Sequence, residues 1–169
     1  QMCIRDRSGR SIGHHLRPRP SASRLTEGLA MQIQCRETPV NIATGGVQLD
    51  KSLPPVVLLH GAGMDRTVWS QQTRYLAHHG FAPMAVDLPG HGESAGPLIP
   101  AIAEMADWVA EFLETIDVGQ VRLVGHSMGS VISLEVAARY PRLTERIVLM
   151  GAAAAMRVHP DLLGAAERN

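Results

Sequence analysis

Residues 121–129 read VRLVGHSMG, a short apolar run that leads directly into a Gly-x-Ser-x-Gly pattern. Residues 121–125 are typical of a buried strand and a helix is predicted at 128–140, so the serine falls at the turn between them. Such a turn holds a serine in a strained backbone conformation with its hydroxyl exposed above the sheet. The next helix offers unpaired N–H groups to a developing oxyanion. The pattern therefore predicts that Ser127 is a nucleophile and that Met128 N–H is an oxyanion donor; a glycine- and serine-rich turn that only caps the helix is the alternative.

The rest of the chain alternates between strand-like and helix-like segments. Short apolar runs predict buried strands, and apolar residues at helical spacing predict helices. The predicted strands are 56–60, 81–88, 121–125 and 146–150, and the predicted helices are 68–79, 101–116 and 128–140. Residues 31–49 are expected to add two edge strands, one of them at 31–36, with Gly45 and Gly46 marking a turn. The alternation predicts an α/β fold with a mostly parallel sheet, helices on both faces and about six strands.

A glycine-rich loop, His-Gly-Ala-Gly at 60–63, follows the first buried strand. Glycines let the backbone approach a substrate without obstruction by side chains. Ala62 is the first choice and Gly63 the second for an N–H that pairs with that of Met128 in an oxyanion hole, and a plain β-turn is the alternative. The residues expected to line a pocket beside this loop are His60, Gly61, Gly63, His91 and His126.

A second glycine-rich loop, DLPGHGES at 87–94, follows the next buried strand. Glycine-rich loops can cradle phosphate groups, but neither the P-loop pattern nor a Gly-x-Gly-x-x-Gly that opens a helix is present here. Nucleotide binding is therefore disfavoured. The loop is interpreted as a sharp turn over the edge of the sheet.

Three motifs in this order, HGAGMD at 60–65, DLPGHGES at 87–94 and GHSMGS at 125–130, resemble those of the α/β-hydrolase superfamily. More narrowly they are similar to its esterase, haloperoxidase-like and C–C-bond hydrolase members. The resemblance implies that Ser127 is the nucleophile, and that the residue after it and one residue of the HGAG loop are the oxyanion donors. Relatives that use an aspartate nucleophile are disfavoured, because a serine stands at that position.

A serine nucleophile needs a general base, which in turn needs an acid that orients it. In this fold the chain order is Ser, then Asp or Glu, then His. The only histidine after Ser127 is His159, and the acids after it are Glu135, Glu145, Asp161 and Glu167. Neither of the first two acids is expected at the C-terminal end of a strand, where a triad acid belongs. We therefore interpret the sequence as the N-terminal part of a hydrolase domain, truncated after about the sixth strand and catalytically incompetent by itself.

Composition and charge bear on partners and location. The 169 residues are 45% hydrophobic and carry no formal net charge, so nothing points to a nucleic-acid partner. No apolar stretch is long enough for a transmembrane helix. The two cysteines, Cys3 and Cys35, have no metal-ligand spacing. We expect a small-molecule substrate, no metal, no cofactor, no membrane partner and a cytoplasmic location; the oligomeric state stays open.

Residues 1–30 differ in character from the rest of the chain. They hold six arginines against two acids, two prolines and no hydrophobic period. This segment is expected to be a disordered or artefactual leader, with an organellar transit peptide as the alternative. Met31 is the expected start of the domain, which occupies residues 31–169.

The leading functional hypothesis is a serine hydrolase of a small carboxylic ester or related acyl compound, acting through an acyl-serine intermediate. A C–C-bond hydrolase or a cofactor-free haloperoxidase-like enzyme is the alternative among enzymes. A receptor or other binding module with the hydrolase fold is the alternative of another class.

Overall fold

The computed structural model describes residues 31–153, which form one mixed sheet with helices on both faces. The strands and helices along the chain are β1 (Met31–Cys35), β2 (Thr38–Ala43), β3 (Pro55–Leu59), α1 (Ser70–His78), β4 (Ala82–Val86), α2 (Ile102–Ile116), β5 (Val121–His126), α3 (Met128–Arg139) and β6 (Thr144–Met150). Short 3-10 turns precede α1 at Arg66–Trp69 and β6 at Pro141–Leu143. The predictions for residues 1–30 and for 154–169 lie outside the described residues.

The strand order in the sheet is β1-β2-β4-β3-β5-β6. The pairs β4-β3, β3-β5 and β5-β6 are parallel, whereas β1 pairs with β2 and β2 with β4 in antiparallel fashion. The carboxyl ends of the four parallel strands therefore meet at one edge of the sheet. This arrangement confirms the predicted α/β fold with a mostly parallel sheet.

Alternate side chains of the central strands point to the two faces. On one face Val57 and Leu59 join the large core cluster with apolar residues of α2 and α3. On the other face Val56 and Leu58 pack with Trp69, next to α1. Both faces of β3 are thus covered, which explains why its sequence is apolar throughout rather than alternating.

Two details differ from the sequence-based predictions. The helix predicted at 68–79 is preceded by a 3-10 turn at Arg66–Trp69, and α1 itself begins at Ser70. The Asp65 side chain caps the start of the turn by accepting a hydrogen bond from Thr67 N at 2.8 Å. Strand β2 is not at the edge as predicted, since it lies between β1 and β4. Its short pairing with β4, at Ile42 and Ala43, has no signal in the local sequence.

Within the described residues β6 pairs only with β5 and forms the end of the sheet. Its apolar side chains Val148, Leu149 and Met150 are 51%, 38% and 44% exposed. A sequence typical of an interior strand therefore occupies an edge in this part of the chain. No helix among the described residues is long and apolar enough to cross a membrane.

Candidate active site

Ser127 stands at the turn between β5 and α3, as the sequence predicts. Its backbone angles are φ 52° and ψ −116°, in a region that a residue with a side chain rarely adopts. Such a conformation costs on the order of 1–3 kcal/mol and persists only where the surrounding structure enforces it. The side chain is partly exposed at the carboxyl edge of the parallel strands.

Glycines before and after the serine allow this turn to pack closely. A Cβ on Gly125 would lie 2.2 Å from the carbonyl oxygen of Gly129, and a Cβ on Gly129 would lie 2.3 Å from the carbonyl oxygen of Leu59. Both contacts are with backbone, which cannot move aside as the end of a side chain can. The Gly-x-Ser-x-Gly spacing therefore lets α3 begin directly against the ends of β3 and β5.

The backbone hydrogen bonds of the turn show which of its N–H groups already have an acceptor. Ser127 N–H donates to the carbonyl oxygen of Met150 at 2.8 Å, so the amide of the serine is already used. The next amide, that of Met128, lies in the first turn of α3, where an N–H has no acceptor within the helix. Among the described residues, Met128 thus has the first N–H after the serine that is left without an acceptor, in keeping with its predicted role in an oxyanion hole, which stays a prediction.

The HGAG loop lies against the serine. A Cβ built on Gly61 would meet Ser127 Cβ at 3.3 Å, His126 Nδ1 at 3.2 Å and Met64 Sδ at 3.4 Å. Gly61 therefore brings the loop into contact with the nucleophile. A side chain at position 61 would crowd Ser127 and its neighbours. Met64, to which the sequence motifs assign no role, lies against the same Gly61 position and is 39% exposed.

His60 has no exposed surface, and both of its ring nitrogens are occupied. Its Nδ1 lies 2.8 Å from the carbonyl oxygen of Gly61, and its Nε2 accepts a hydrogen bond from Leu88 N at 3.1 Å. These contacts fit a neutral ring with the proton on Nδ1, and burial lowers the pKa of the imidazole below its usual value. His60 joins the two glycine-rich loops; its predicted place in a pocket wall stays a prediction.

The bond from His60 also orients the peptide that links Gly61 to Ala62. The carbonyl of Gly61 is turned toward the buried imidazole, and in a planar trans peptide the N–H points the opposite way. The N–H of Ala62 is therefore directed away from His60 and the interior. Both Ala62 and Gly63 are exposed at the surface of the loop, and the choice between them as donor stays a prediction.

Asp87 carries a buried ionic network that the sequence analysis did not identify. Its carboxylate has no exposed surface, forms an ion pair with Arg66, and accepts hydrogen bonds from Arg66 N at 2.6 Å and Glu93 N at 2.9 Å. Arg66 also contacts the Glu93 carboxylate at 2.5 Å. The DLPGHGES loop is thus clamped to the segment after the HGAG loop, which supports its interpretation as a structural turn.

The described residues do not complete a catalytic triad. Glu135 lies 3.9 Å from Arg139 and Glu145 lies 2.9 Å from Arg122, so both acids form ion pairs away from the serine. Between residues 31 and 153, the hydrogen bonds of the histidine rings do not include one to Ser127. The remaining candidates, His159, Asp161 and Glu167, lie outside the described part of the chain. No group of metal-ligating side chains is found in that described part.

A groove of about 450 Å³ lies on the α1 face of the sheet. Its walls come from the sheet and α1: Leu58, Trp69, Gln71, Gln72, Tyr75, Leu76, Val124 and Met150. Neither Ser127 nor the HGAG loop belongs to its lining. The groove reaches Met150, whose carbonyl oxygen accepts the Ser127 N–H, but it does not include the nucleophile itself.

The geometry agrees with comparisons to known proteins. The sequence profile of the alpha/beta hydrolase fold matches residues 54–167, which is more than half of the chain. This chain belongs to the α/β-hydrolase family. The match begins just before β3 and includes all three motifs, so the family assignment and the strained serine turn rest on the same residues.

Individual relatives within the α/β-hydrolase family carry several activities. The chain is 37% identical over 97 residues to the (E)-2-((N-methylformamido)methylene)succinate hydrolase of Acinetobacter baylyi, a match that covers 57% of this chain and 36% of that protein. It is 32% identical over 109 residues to a putative non-heme haloperoxidase of Mycobacterium phage D29, covering 64% and 39%.

Among solved structures, the chain is similar to an E-2-(acetamidomethylene)succinate hydrolase, with a TM-score of 0.68 and 26% identity over 83% of this chain and 50% of that one. The α/β-hydrolase chain described here thus spans 36–39% of the length of the two curated relatives and half of this solved structure.

Proposed function

We propose that this chain belongs to a serine hydrolase that acts on a small carboxylic ester or a related acyl compound. The observation that supports this proposal most directly is Ser127, held at φ 52° between a strand end and a helix N-terminus. A structural serine has no need of this strained conformation. A nucleophile gains from it, because the hydroxyl is presented beside unpaired helix N–H groups.

In the proposed reaction, Ser127 Oγ attacks the acyl carbonyl carbon and gives its proton to a general base. The oxyanion that forms is stabilised by the N–H groups of Met128 and Ala62. Collapse of this intermediate expels the leaving group, which takes up the proton, and leaves an acyl-serine that water then hydrolyses. The base and its orienting acid are expected to come after α3 in the chain, by the usual order in this fold.

Two of the similar proteins are named as hydrolases of succinates that carry an amide group, which is N-methylformamido in one and acetamido in the other. An amide carbonyl is attacked by the same serine chemistry as an ester carbonyl, so both fall within the proposed class of acyl compounds. We also propose a cytoplasmic location without nucleic-acid or membrane partners, since the chain has no net charge and Cys35 is a free, buried thiol.

A cofactor-free haloperoxidase-like or C–C-bond hydrolase activity is the second candidate, and the similarity to the haloperoxidase of phage D29 favours the first of these. A non-catalytic receptor is the third. The requirement for Ser127 separates the receptor from the two enzyme candidates, because both enzyme classes need its hydroxyl for turnover and a receptor does not.

The test is ester turnover by the full-length gene product. With p-nitrophenyl acetate, Ser127→Ala should lose on the order of 10³-fold or more in kcat, in line with the removal of other triad serines. Ser52→Ala is the matched control, because Ser52 is exposed in a distant loop and bonds only to Asp50 in the described structure. Retention of more than a tenth of the activity in Ser127→Ala contradicts the proposal.

A further inference from the structure

A second serine, one turn after the nucleophile, has a hydroxyl that joins three parts of the fold. Ser130 has no exposed surface, and its Oγ lies 2.7 Å from the carbonyl oxygen of Gly125 at the end of β5. The same Oγ lies 2.9 Å from the carbonyl oxygen of Met150 and accepts a hydrogen bond from Met150 N at 3.0 Å. One side chain of α3 thus contacts the carboxyl ends of two neighbouring strands, β5 and β6.

Met150 connects this serine to the nucleophile. Its carbonyl oxygen also accepts the Ser127 N–H at 2.8 Å. Met150 is the last residue of β6, a strand that pairs only with β5 among the described residues and whose final register pair is His126 with Met150. In the described part of the chain, the carbonyl that accepts the Ser127 N–H therefore belongs to a strand paired on one side only, and Ser130 supplies the side-chain bonds that hold its end.

A hydroxyl has one proton and two lone pairs, so Ser130 can donate to one of the two carbonyls while it accepts from Met150 N–H. Either choice keeps Met150 attached to the first turn of α3. The strained backbone of Ser127 depends on such external restraints, because without them a residue with a side chain relaxes out of this region.

We propose that Ser130 is a positioning residue, whose buried hydroxyl fastens the end of β6 to α3 and thereby holds the Ser127 amide and the strained nucleophile in place for reaction. The part of this inference that concerns rate rests on the function proposed above. The part that concerns the restraint on the Ser127 amide does not.

Ser133 offers a matched control. It lies on the same helix, has no exposed surface, and its Oγ donates to the carbonyl oxygen of Gly129 at 2.7 Å, within α3 itself. Ser130→Ala and Ser133→Ala therefore remove the same atoms at the same burial. Only the first breaks a connection to the strand that holds the nucleophile.

The experiment compares both variants in the full-length gene product, by hydrogen exchange of the Ser127 amide and by the rate of Ser127 acylation with a fluorophosphonate. Ser130→Ala should exchange the Ser127 amide at least about tenfold faster than Ser133→Ala, because loss of the side-chain bonds frees its acceptor. Acylation should slow on the order of tenfold, against less than about twofold for Ser133→Ala, with the apparent affinity for the reagent unchanged.

Equal protection of the Ser127 amide in the two variants overturns the inference, whatever the activity shows. If Ser127→Ala still turns over substrate, the proposed function fails, and amide exchange alone then decides the role of Ser130. If Ser130→Ala does not fold, Ser130→Cys against Ser133→Cys gives the same comparison, since a thiol is a weaker hydrogen-bonding group of similar shape; equal exchange in that pair likewise overturns the inference.

Discussion

At the scale of single residues, the nucleophile is held by its neighbours on several sides. Its amide bonds to Met150, its carbonyl accepts hydrogen bonds from the first turn of α3, and Gly61 contacts its Cβ side. The strain at Ser127 is therefore maintained by tertiary contacts rather than by local sequence alone. Substitutions at the contacting residues are therefore expected to alter the backbone conformation of Ser127, and to affect its reaction only through that change.

Gly129 provides the sharpest steric prediction. Gly129→Ala should destabilise the fold by more than about 3 kcal/mol, above the usual cost of overpacking, because the new methyl group meets two backbone carbonyls that cannot move aside. Urea unfolding followed by circular dichroism measures the change. Gly80→Ala is the control: Gly80 has φ 77° but nothing within 4 Å of its built Cβ, so it should cost only about 1–2 kcal/mol of backbone strain. A Gly129→Ala midpoint equal to that of the parent contradicts the close approach.

Because the imidazole of His60 is buried, we expect the stability of the fold to depend on pH. Burial lowers the pKa of its imidazole in the folded state, so the unfolded state binds the proton more readily. This contribution to stability is therefore complete above the unfolded pKa of about 6.5, and is lost as pH falls from there toward the folded pKa. The free energy of unfolding should decline in the parent as pH falls below about 6.5. His60→Gln should be less stable at pH 7 but show a shallower decline; an equal slope contradicts the assignment.

The residue-scale features that the sequence predicts are those carried by a contiguous motif. Ser127 and its flanking glycines could be located because strand, turn and helix follow one another within a few residues. The burial of His60 and the Asp87–Arg66 pair could not, since each depends on two loops that are separated in sequence and brought together by the parallel pairing of β3 and β4.

At the scale of elements, the two glycine-rich loops behave as one unit. The Asp87 carboxylate is enclosed by Arg66 and by backbone N–H groups, and a Cβ on Gly92 would lie 2.4 Å from Asp87 Oδ2. Glycine at 92 thus lets the loop close over the buried charge. The clamp fixes the segment that follows the HGAG loop against the end of β4.

Asp87→Asn should therefore destabilise the fold strongly, by about 3–5 kcal/mol, because it leaves the largely buried guanidinium of Arg66 with only Glu93 as a charged partner among the described residues. Glu93→Gln is the matched control on the same arginine. Its side chain is 68% exposed, so that change should cost less than about 1 kcal/mol. Denaturant unfolding of the two variants measures the difference, and equal losses would count against the clamp.

Helix and strand positions were largely predictable, because β3, β4 and β5 are short apolar runs and α2 has a clear apolar stripe. The place of β2 was not. Its neighbours in the sheet are β1, which precedes it by a short turn, and β4, which lies some forty residues further along the chain. Local alternation reports burial, but it carries no information on which distant strand is the partner.

At the scale of the whole molecule, the apolar edge at β6 is the feature with the clearest physical consequence. Val148, Leu149 and Met150 are exposed along a strand that has one partner in the described structure. Unpaired apolar edges are templates for association. Purified residues 31–169 should therefore bind a hydrophobic dye and tend to aggregate.

Dye fluorescence and light scattering measure this property. Leu149→Lys should reduce both, because a charged side chain on an edge strand opposes pairing with another chain. Leu134→Lys is the control, since Leu134 is 51% exposed but lies on α3 rather than on the edge. A monodisperse monomer that does not bind the dye contradicts the expectation, as does an equal effect of the two substitutions.

The central claim, that Ser127 is the nucleophile, is tested most directly by locating a covalent adduct. The full-length gene product is treated with a fluorophosphonate and the modified peptide is identified by mass spectrometry. We predict one adduct, on the peptide that contains Ser127, absent from Ser127→Ala and retained in Ser52→Ala. A fluorophosphonate adduct that persists in Ser127→Ala, or that maps to another residue of the protein, would contradict the account.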